Sequence, residues 1–196
     1  MAEKARLAVL ISGVSTNMAA LVYASRIADC PYEVVLVASN DPAAQGLALA
    51  QAEGIATFSH PHKGLTREAH DAAMEAAVLE SGAGYIVLAG YMRILSDSFV
   101  ERWAGRMLNI HPSLLPDFKG LHPQRQALEA GVSEAGCTVH WVEPALDDGP
   151  AILQRRVPVL PGDTEETLSA RILAEEHKAY PEALRLVATG AVRYGS

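Results

Sequence analysis

Short apolar runs alternate with longer stretches of helical periodicity along the N-terminal half of the chain. Leu7–Ile11 (LAVLI), Val34–Ala38 (VVLVA) and Tyr85–Ala89 (YIVLA) are near-continuous apolar runs rich in branched side chains. A strand buried on both faces has this pattern, as in a parallel sheet covered by helices. Between these runs, 17–28, 46–53 and 66–81 read as helices. The last begins at a Thr66 N-cap with Glu68 in its first turn and ends before Gly82. Repeated strand–helix–strand units of this length predict right-handed crossovers and an open, mostly parallel sheet with helices on both faces.

Beyond Tyr91 the pattern changes. Ser96–Arg102 reads as a short helix with Ser96 as N-cap, and Met107–Ile110 as a further strand. A Pro- and Gly-rich loop, 112–123, leads to a helix over 124–130. Cys137–Val142 alternates as a half-buried strand does, and Ile152–Val159 reads as its antiparallel partner across the 144–150 turn. Thr164 opens a long final helix, with Glu165 and Glu166 favourable near its positive end. No internal repeat, low-complexity tract or linker interrupts the 196 residues, so one α/β domain over 1–196 is expected.

Composition narrows the partners. The chain is 49% hydrophobic and 20% charged, enough to bury a core, and its net charge is −7. There is no Lys/Arg cluster, which disfavours nucleic acid, whereas backbone amides bind small anions whatever the net charge. No apolar run approaches the ~20 residues that span a bilayer, and no basic-then-apolar leader precedes the first strand. Two cysteines, Cys30 and Cys137, are too few for a disulfide framework. A cytoplasmic protein is expected.

Three constellations can carry chemistry. Ser12-Gly13-Val14-Ser15-Thr16-Asn17 joins the first strand to the first helix, where convergent N–H groups and the helix dipole suit a phosphate. The spacing matches neither dinucleotide nor P-loop patterns, and the bland reading is a helix capped by Thr16 or Asn17. Asn109 and His111 lie two apart on a strand and project to one face, at the edge where open α/β sheets bind ligands. Together they can donate to a developing oxyanion and move a proton; the bland reading is a histidine that caps a loop. Asp147, in Leu146-Asp147-Asp148-Gly149-Pro150, is ordinarily a turn residue. Brought beside His111, it would favour the charged imidazole.

Lesser signals weigh towards structure. His60-Pro61-His62 has no acidic or cysteine partner, so no metal is expected. Cys137, in a strand with His140, reads as an inert buried thiol. Glu175-Glu176-His177 is either a solvated helix face or the mouth of a site.

Taken in order, Ile11-Ser12-Gly13…Asn17, Leu88-Ala89-Gly90-Tyr91-Met92-Arg93-Ile94-Leu95, Asn109-Ile110-His111-Pro112-Ser113-Leu114-Leu115-Pro116 and Leu146-Asp147-Asp148-Gly149-Pro150 resemble the folate-dependent formyltransferases. Gly120-Leu121-His122, Gln126-Ala127-Leu128, Ile152-Leu153-Gln154 and Glu176-His177-Lys178-Ala179-Tyr180-Pro181 extend the resemblance to the last helix. It implies a Rossmann-like formyltransferase fold with a phosphate-binding half (about 1–90) and a folate-binding, catalytic half (about 91–196). It also implies direct transfer of formyl from the cosubstrate 10-formyltetrahydrofolate to the amine of phosphoribosylglycinamide in purine (IMP) synthesis, without metal. Asn109 and protonated His111 would stabilise the oxyanion, and Asp147 would relay protons. Gly13, Ser15, Thr16 and Asn17 would hold the phosphate, and Glu175 and Glu176 the glycinamide ribonucleotide. Arg67, Met92, Arg93, Ile94, Leu95, Asn109, Glu143 and Asp147 would hold the folate. Apart from the resemblance, the length of the 112–123 loop beside a site makes it a candidate lid. A monomer or homodimer with small-molecule substrates is implied, with no nucleic acid or membrane partner.

The chain departs from the family pattern at Val14-Ser15, where Asn-Gly is common, at Asp148, where Gly is usual, and at Gln124. The competing readings are a non-catalytic folate or nucleotide sensor and a related formyltransferase with another acceptor. A transfer-RNA formyltransferase would need a further C-terminal domain, whereas only residues 182–196 follow Pro181. A formyl-folate hydrolase would need an N-terminal regulatory domain.

Overall fold

The computed structural model describes residues 3–195. Seven strands form one sheet: β1 (Ala5–Ile11), β2 (Tyr32–Ser39), β3 (Ala56–Ser59), β4 (Tyr85–Leu88), β5 (Met107–His111), β6 (Glu134–Trp141) and β7 (Ala151–Pro158). Their order is β3-β2-β1-β4-β5-β6-β7. The first five run parallel, and β6 and β7 are antiparallel. The connections include α1 (Thr16–Ser25), α2 (Gln45–Ala52), α3 (Arg67–Glu80), α4 (Asp97–Arg102) and α5 (Pro123–Ala130), and α6 (Glu165–Ala188) closes the described chain. This is the expected mostly parallel, doubly covered sheet.

The period of two along β1 divides the interior. Leu7, Val9 and Ile11 enter a core with α1, α2 and α6, whereas Ala8 and Leu10 enter a second core with α3 and α4. α6 also reaches between strands: the buried Tyr180 hydroxyl contacts the carbonyls of Leu88 on β4 (2.8 Å) and Leu108 on β5 (3.2 Å). The helix therefore braces the strand pair whose C-terminal ends carry the site.

Four elements differ from the sequence reading. β3 was not expected, because ATFS is short and half polar; as an edge strand it needs only one neighbour. β6 is buried at every position after Glu134, not half-buried. α6 covers the face of Cys137 and Val139, and the loop after β5 and Asn109 cover Thr138 and His140 on the other. α1 ends at Ser25 rather than at 28, and its N-cap is Ser15, not Thr16 or Asn17. The Ser15 hydroxyl oxygen accepts the Met18 amide at 3.2 Å while its O–H donates to the Ala89 carbonyl at 2.6 Å. Ser96 precedes α4 as expected, but without a side-chain capping bond. Thr66 and Thr164 do cap α3 and α6, Thr164 in a reciprocal box with Thr167.

Candidate active site

The C-terminal end of β5 and the antiparallel β6 bring the chemistry together. Register places Asn109 opposite His140 and His111 opposite Thr138. The Asn109 amide donates to His140 Nε2 at 3.2 Å, and His140 Nδ1 donates to the Trp141 carbonyl at 2.8 Å. His140 is thus held as the neutral tautomer, and burial lowers its pKa below the ordinary imidazole value, although Asp147 opposes this. Asn109 keeps a second N–H for a ligand.

His111 is 6% exposed. Its Nε2 donates to the Phe118 carbonyl at 3.0 Å, and its Nδ1 faces Asp147 Oδ2 at 3.4 Å. Both ring nitrogens therefore face acceptors, an arrangement that an imidazolium satisfies completely. At 3.4 Å the Nδ1 contact is loose enough for an arriving oxygen to share the proton.

Asp147 comes from the β6–β7 turn. Its Oδ2 also accepts the Gly120 amide at 3.0 Å, and its Oδ1 lies 3.9 Å from His140 Nε2. Asp147 has φ 51°, a left-handed conformation uncommon for a non-glycine residue and found where the surroundings over-determine the backbone. Close packing of the turn enforces it: a Cβ on Gly149 would lie 1.9 Å from the Trp141 carbonyl oxygen. Asp148, the departure beside it, pairs with Lys119 and ties the turn to the preceding loop.

That loop, expected as a lid, is anchored along its length. The Thr138 hydroxyl donates to the Ser113 carbonyl (2.7 Å) and accepts the Leu115 amide (3.0 Å), and Gln154 donates to the Leu115 carbonyl (2.8 Å). Gln126 donates to the Lys119 and Leu121 carbonyls at the far end.

The anion loop lies at the end of β1. Ser15 has φ 47°, so the chain adopts there the left-handed turn that glycine would adopt without strain. Thr16 and Asn17 open α1, where backbone N–H groups have no intrahelical acceptor. Behind them, the Gly46 amide donates to the Gly13 carbonyl at 3.1 Å. A Cβ on Gly46 would meet Ile11 Cδ1 at 2.5 Å, so glycine alone permits this approach.

α6 contributes Glu176, which accepts the Asn17 side-chain amide at 2.7 Å. Burial raises the Glu176 pKa above the ordinary carboxylate value, although Asn17 and the His111 charge both act to lower it. Glu176 thereby ties α6 to the start of α1. His177 hydrogen-bonds the Thr16 hydroxyl at 2.9 Å. Glu175 does not join them: it is bound by Lys178 at 2.6 Å and lies 3.5 Å from Arg155.

The 92–95 segment lies next to the anion loop, where the Met92 amide donates to the Ser12 hydroxyl at 2.7 Å. Met92, Ile94, Leu121 and Leu146 are all exposed, each in a segment bonded to the loop or to Asp147. Arg67 is exposed at the start of α3. The Glu143 carboxylate accepts the Tyr194 hydroxyl at 2.9 Å and is committed to the C-terminal segment. Cys137 is buried, and burial pushes its thiol up to about 12. Among the described residues no group of three or more His, Cys, Asp or Glu is arranged to hold a metal ion. No helix there is long and apolar enough to cross a membrane.

This geometry can be set beside known proteins. The family model described as formyl transferase matches residues 5–184. The chain belongs to the formyl transferase family. Among members of this family, a phosphoribosylglycinamide formyltransferase of Escherichia coli is 44% identical over 186 residues, 94% of this chain and 88% of that protein. The trifunctional purine biosynthetic protein adenosine-3 of Bos taurus is 50% identical over 194 residues, 98% of this chain but 19% of that protein. The chain thus spans between 14% and 19% of the trifunctional relatives it matches. Among solved formyl transferase folds, glycinamide ribonucleotide transformylase 1 from Symbiobacterium toebii superposes with a TM-score of 0.93 at 47% identity. That match covers 97% of this chain and 90% of the other.

His140 and Gly46 are the residues that sequence reasoning missed. His140 lies three residues from Cys137 and therefore on the opposite face of β6; its register opposite Asn109 is a signal only once β5 and β6 are known to pair.

Proposed function

We propose that this chain transfers the formyl group of 10-formyltetrahydrofolate to the amine of phosphoribosylglycinamide, a step of purine synthesis. The observation that carries the reading is the meeting of Asn109, His111 and Asp147 from two separate segments, in a chain similar to phosphoribosylglycinamide formyltransferases over nearly its whole length.

In this reading the amine attacks the formyl carbon, and the formyl oxygen takes up negative charge. The free Asn109 N–H and the His111 Nδ1–H donate to that oxygen, in a pocket where fixed donors are worth more than in water. A water beside Asp147 takes one proton from the attacking nitrogen and gives one of its own to the folate nitrogen as the bond between that nitrogen and the formyl carbon breaks, so water and Asp147 end as they began. His140 keeps the Asn109 amide turned towards the reaction. No covalent intermediate and no metal enters.

Gly13, Ser15, Thr16 and Asn17 hold the phosphate through first-turn amides and the helix dipole. Glu176 holds the amine end of the ribonucleotide, and Glu175 supports the helix beside it. Met92, Arg93, Ile94 and Leu95 with Arg67 receive the folate, and the exposed apolar side chains flank its flat ring. Glu143 takes part through its backbone, since its side chain binds Tyr194. A cytoplasmic monomer or homodimer with small-molecule substrates completes the reading.

Following the absorbance of 10-formyltetrahydrofolate with and without phosphoribosylglycinamide tests it. Loss of formyl folate that depends on the ribonucleotide is the expected result. Loss without acceptor would make the chain a hydrolase, and tight binding without turnover would make it a sensor.

A further inference from the structure

Between α3 and residues 91–96 lies a seam of buried polar groups that no step above uses. His70, Asp71 and Ser96 are 0%, 1% and 4% exposed. One hydrogen bond crosses the seam within the core: the Ser96 amide donates to Asp71 Oδ2 at 2.7 Å. His70 Nε2 donates to the His60 carbonyl at 3.0 Å, which leaves Nδ1 as an acceptor 3.8 Å from Asp71 Oδ1. His70 Nδ1, Asp71 Oδ1, the Tyr91 hydroxyl, Arg93 Nε and the Ser96 hydroxyl are all buried without a hydrogen-bond partner. The charges of Asp71 and Arg93 are both felt at His70 and at Tyr91.

A seam of this kind is an expensive way to join a helix to a loop. Unpaired buried polar atoms each cost stability, and apolar side chains of similar size would hold the two together better. What the seam supplies instead is one directional bond to one backbone amide. Ser96 directly follows Leu95, the last residue of the 92–95 segment, and the segment's other end is held by the Met92 amide on Ser12. The segment has no regular secondary structure between these two points. Its two ends are fixed by these bonds together with the burial of Leu95, and one of the acceptors is the Asp71 carboxylate.

We infer that Asp71 is a positioning residue for the folate half of the site: by accepting the Ser96 amide it sets the Met92–Leu95 backbone and the place of Arg93. This rests on the proposed function, which gives that segment to the folate.

The test compares wild type, Asp71→Ala and Asp71→Asn for both KM values, for kcat and for equilibrium binding of 10-formyltetrahydrofolate. Asn keeps an oxygen for the Ser96 amide, whereas Ala does not. The expected result is a formyl folate KM and Kd raised about tenfold or more in Asp71→Ala, the loss that one hydrogen bond to a charged group supports. The ribonucleotide KM should stay within about twofold, and Asp71→Asn should recover most of the loss. Should Asp71→Ala fail to fold, Ser96→Pro removes the donor instead, at a φ of −71° that proline adopts, and should show the same selective loss. Equal rises in both KM values, an unchanged folate Kd, or an Asp71→Asn as impaired as Asp71→Ala would overturn the inference. A wild type that binds no formyl folate would instead overturn the proposed function on which it stands.

Discussion

The two halves of the candidate site are built in opposite ways. Around β5, β6 and the turn that follows, His111 and His140 are buried and Asn109 and Asp147 half-buried, and their side chains are oriented by one another and by backbone groups. At the end of β1, Val14 and Thr16 are exposed and Gly13 and Ser15 half-buried, and Ser15 serves the loop's own conformation, capping α1 and bonding to Ala89. The first arrangement presents preset donors and a charge to a reacting atom, which is the requirement of transition-state stabilisation. The second presents backbone amides and a helix end to an anion, which is the requirement of binding. Under the proposed function, rate belongs to the first region and affinity to the second.

The largest expected effects are therefore on rate and lie in the buried cluster. Asn109→Ala should lower kcat by about 10²–10³-fold, the cost of one oxyanion donor, with both KM values nearly unchanged. Asp147→Asn keeps an acceptor for Gly120 but loses the charge facing His111, and should cost a similar factor. Steady-state kinetics on each variant checks the split, and a KM effect equal to the kcat effect would erase the contrast.

The anion loop should respond the other way. Asn17→Ala removes the donor to Glu176, and should raise the KM for the ribonucleotide about tenfold while leaving kcat and the folate KM alone. His140→Ala lies between the halves, since it frees the Asn109 amide to rotate; a kcat loss of about tenfold with normal substrate binding is expected.

Glu176 tests the boundary through pH. Its folded pKa is raised, so the folded state holds the proton more tightly than the unfolded chain does. The wild type is then most stable, relative to Glu176→Gln, below the ordinary carboxylate pKa, and loses that advantage as pH rises through the folded value. Thermal melts of both proteins from pH 4 to 8 should show Glu176→Gln gaining on wild type as pH rises. The smallest effect belongs to Ser15→Gly, which relieves the left-handed strain but removes two hydrogen bonds. These terms nearly cancel, and a stability change under about 1 kcal/mol in denaturant unfolding is expected.

The catalytic region was the more legible of the two in the sequence. Asn109 and His111 announce themselves by strand spacing, and the turn that carries Asp147 by its acidic residues and Gly149. The elements with strong periodicity, β1, α1, β2, α2, α3 and β4, lie within a few residues of where the pattern puts them. What stayed hidden depends on neighbours far along the chain. The burial of β6 on both faces follows from α6 on one side and the loop after β5 on the other, which alternation alone does not encode. The role of His140 follows from register, and that of Asp71 from a bond to Ser96 across 25 residues. Ser15 as N-cap was missed because its hydroxyl precedes two equally good candidates, and only the left-handed backbone selects it.

The most direct test of the division between rate and affinity is made on His111→Ala. Equilibrium binding of both substrates would be measured beside single-turnover formyl transfer at saturation. Binding within about threefold of wild type, with transfer slowed by at least about 10²-fold, is the predicted result. Affinity lost in step with rate, or transfer at the wild-type rate, would contradict it.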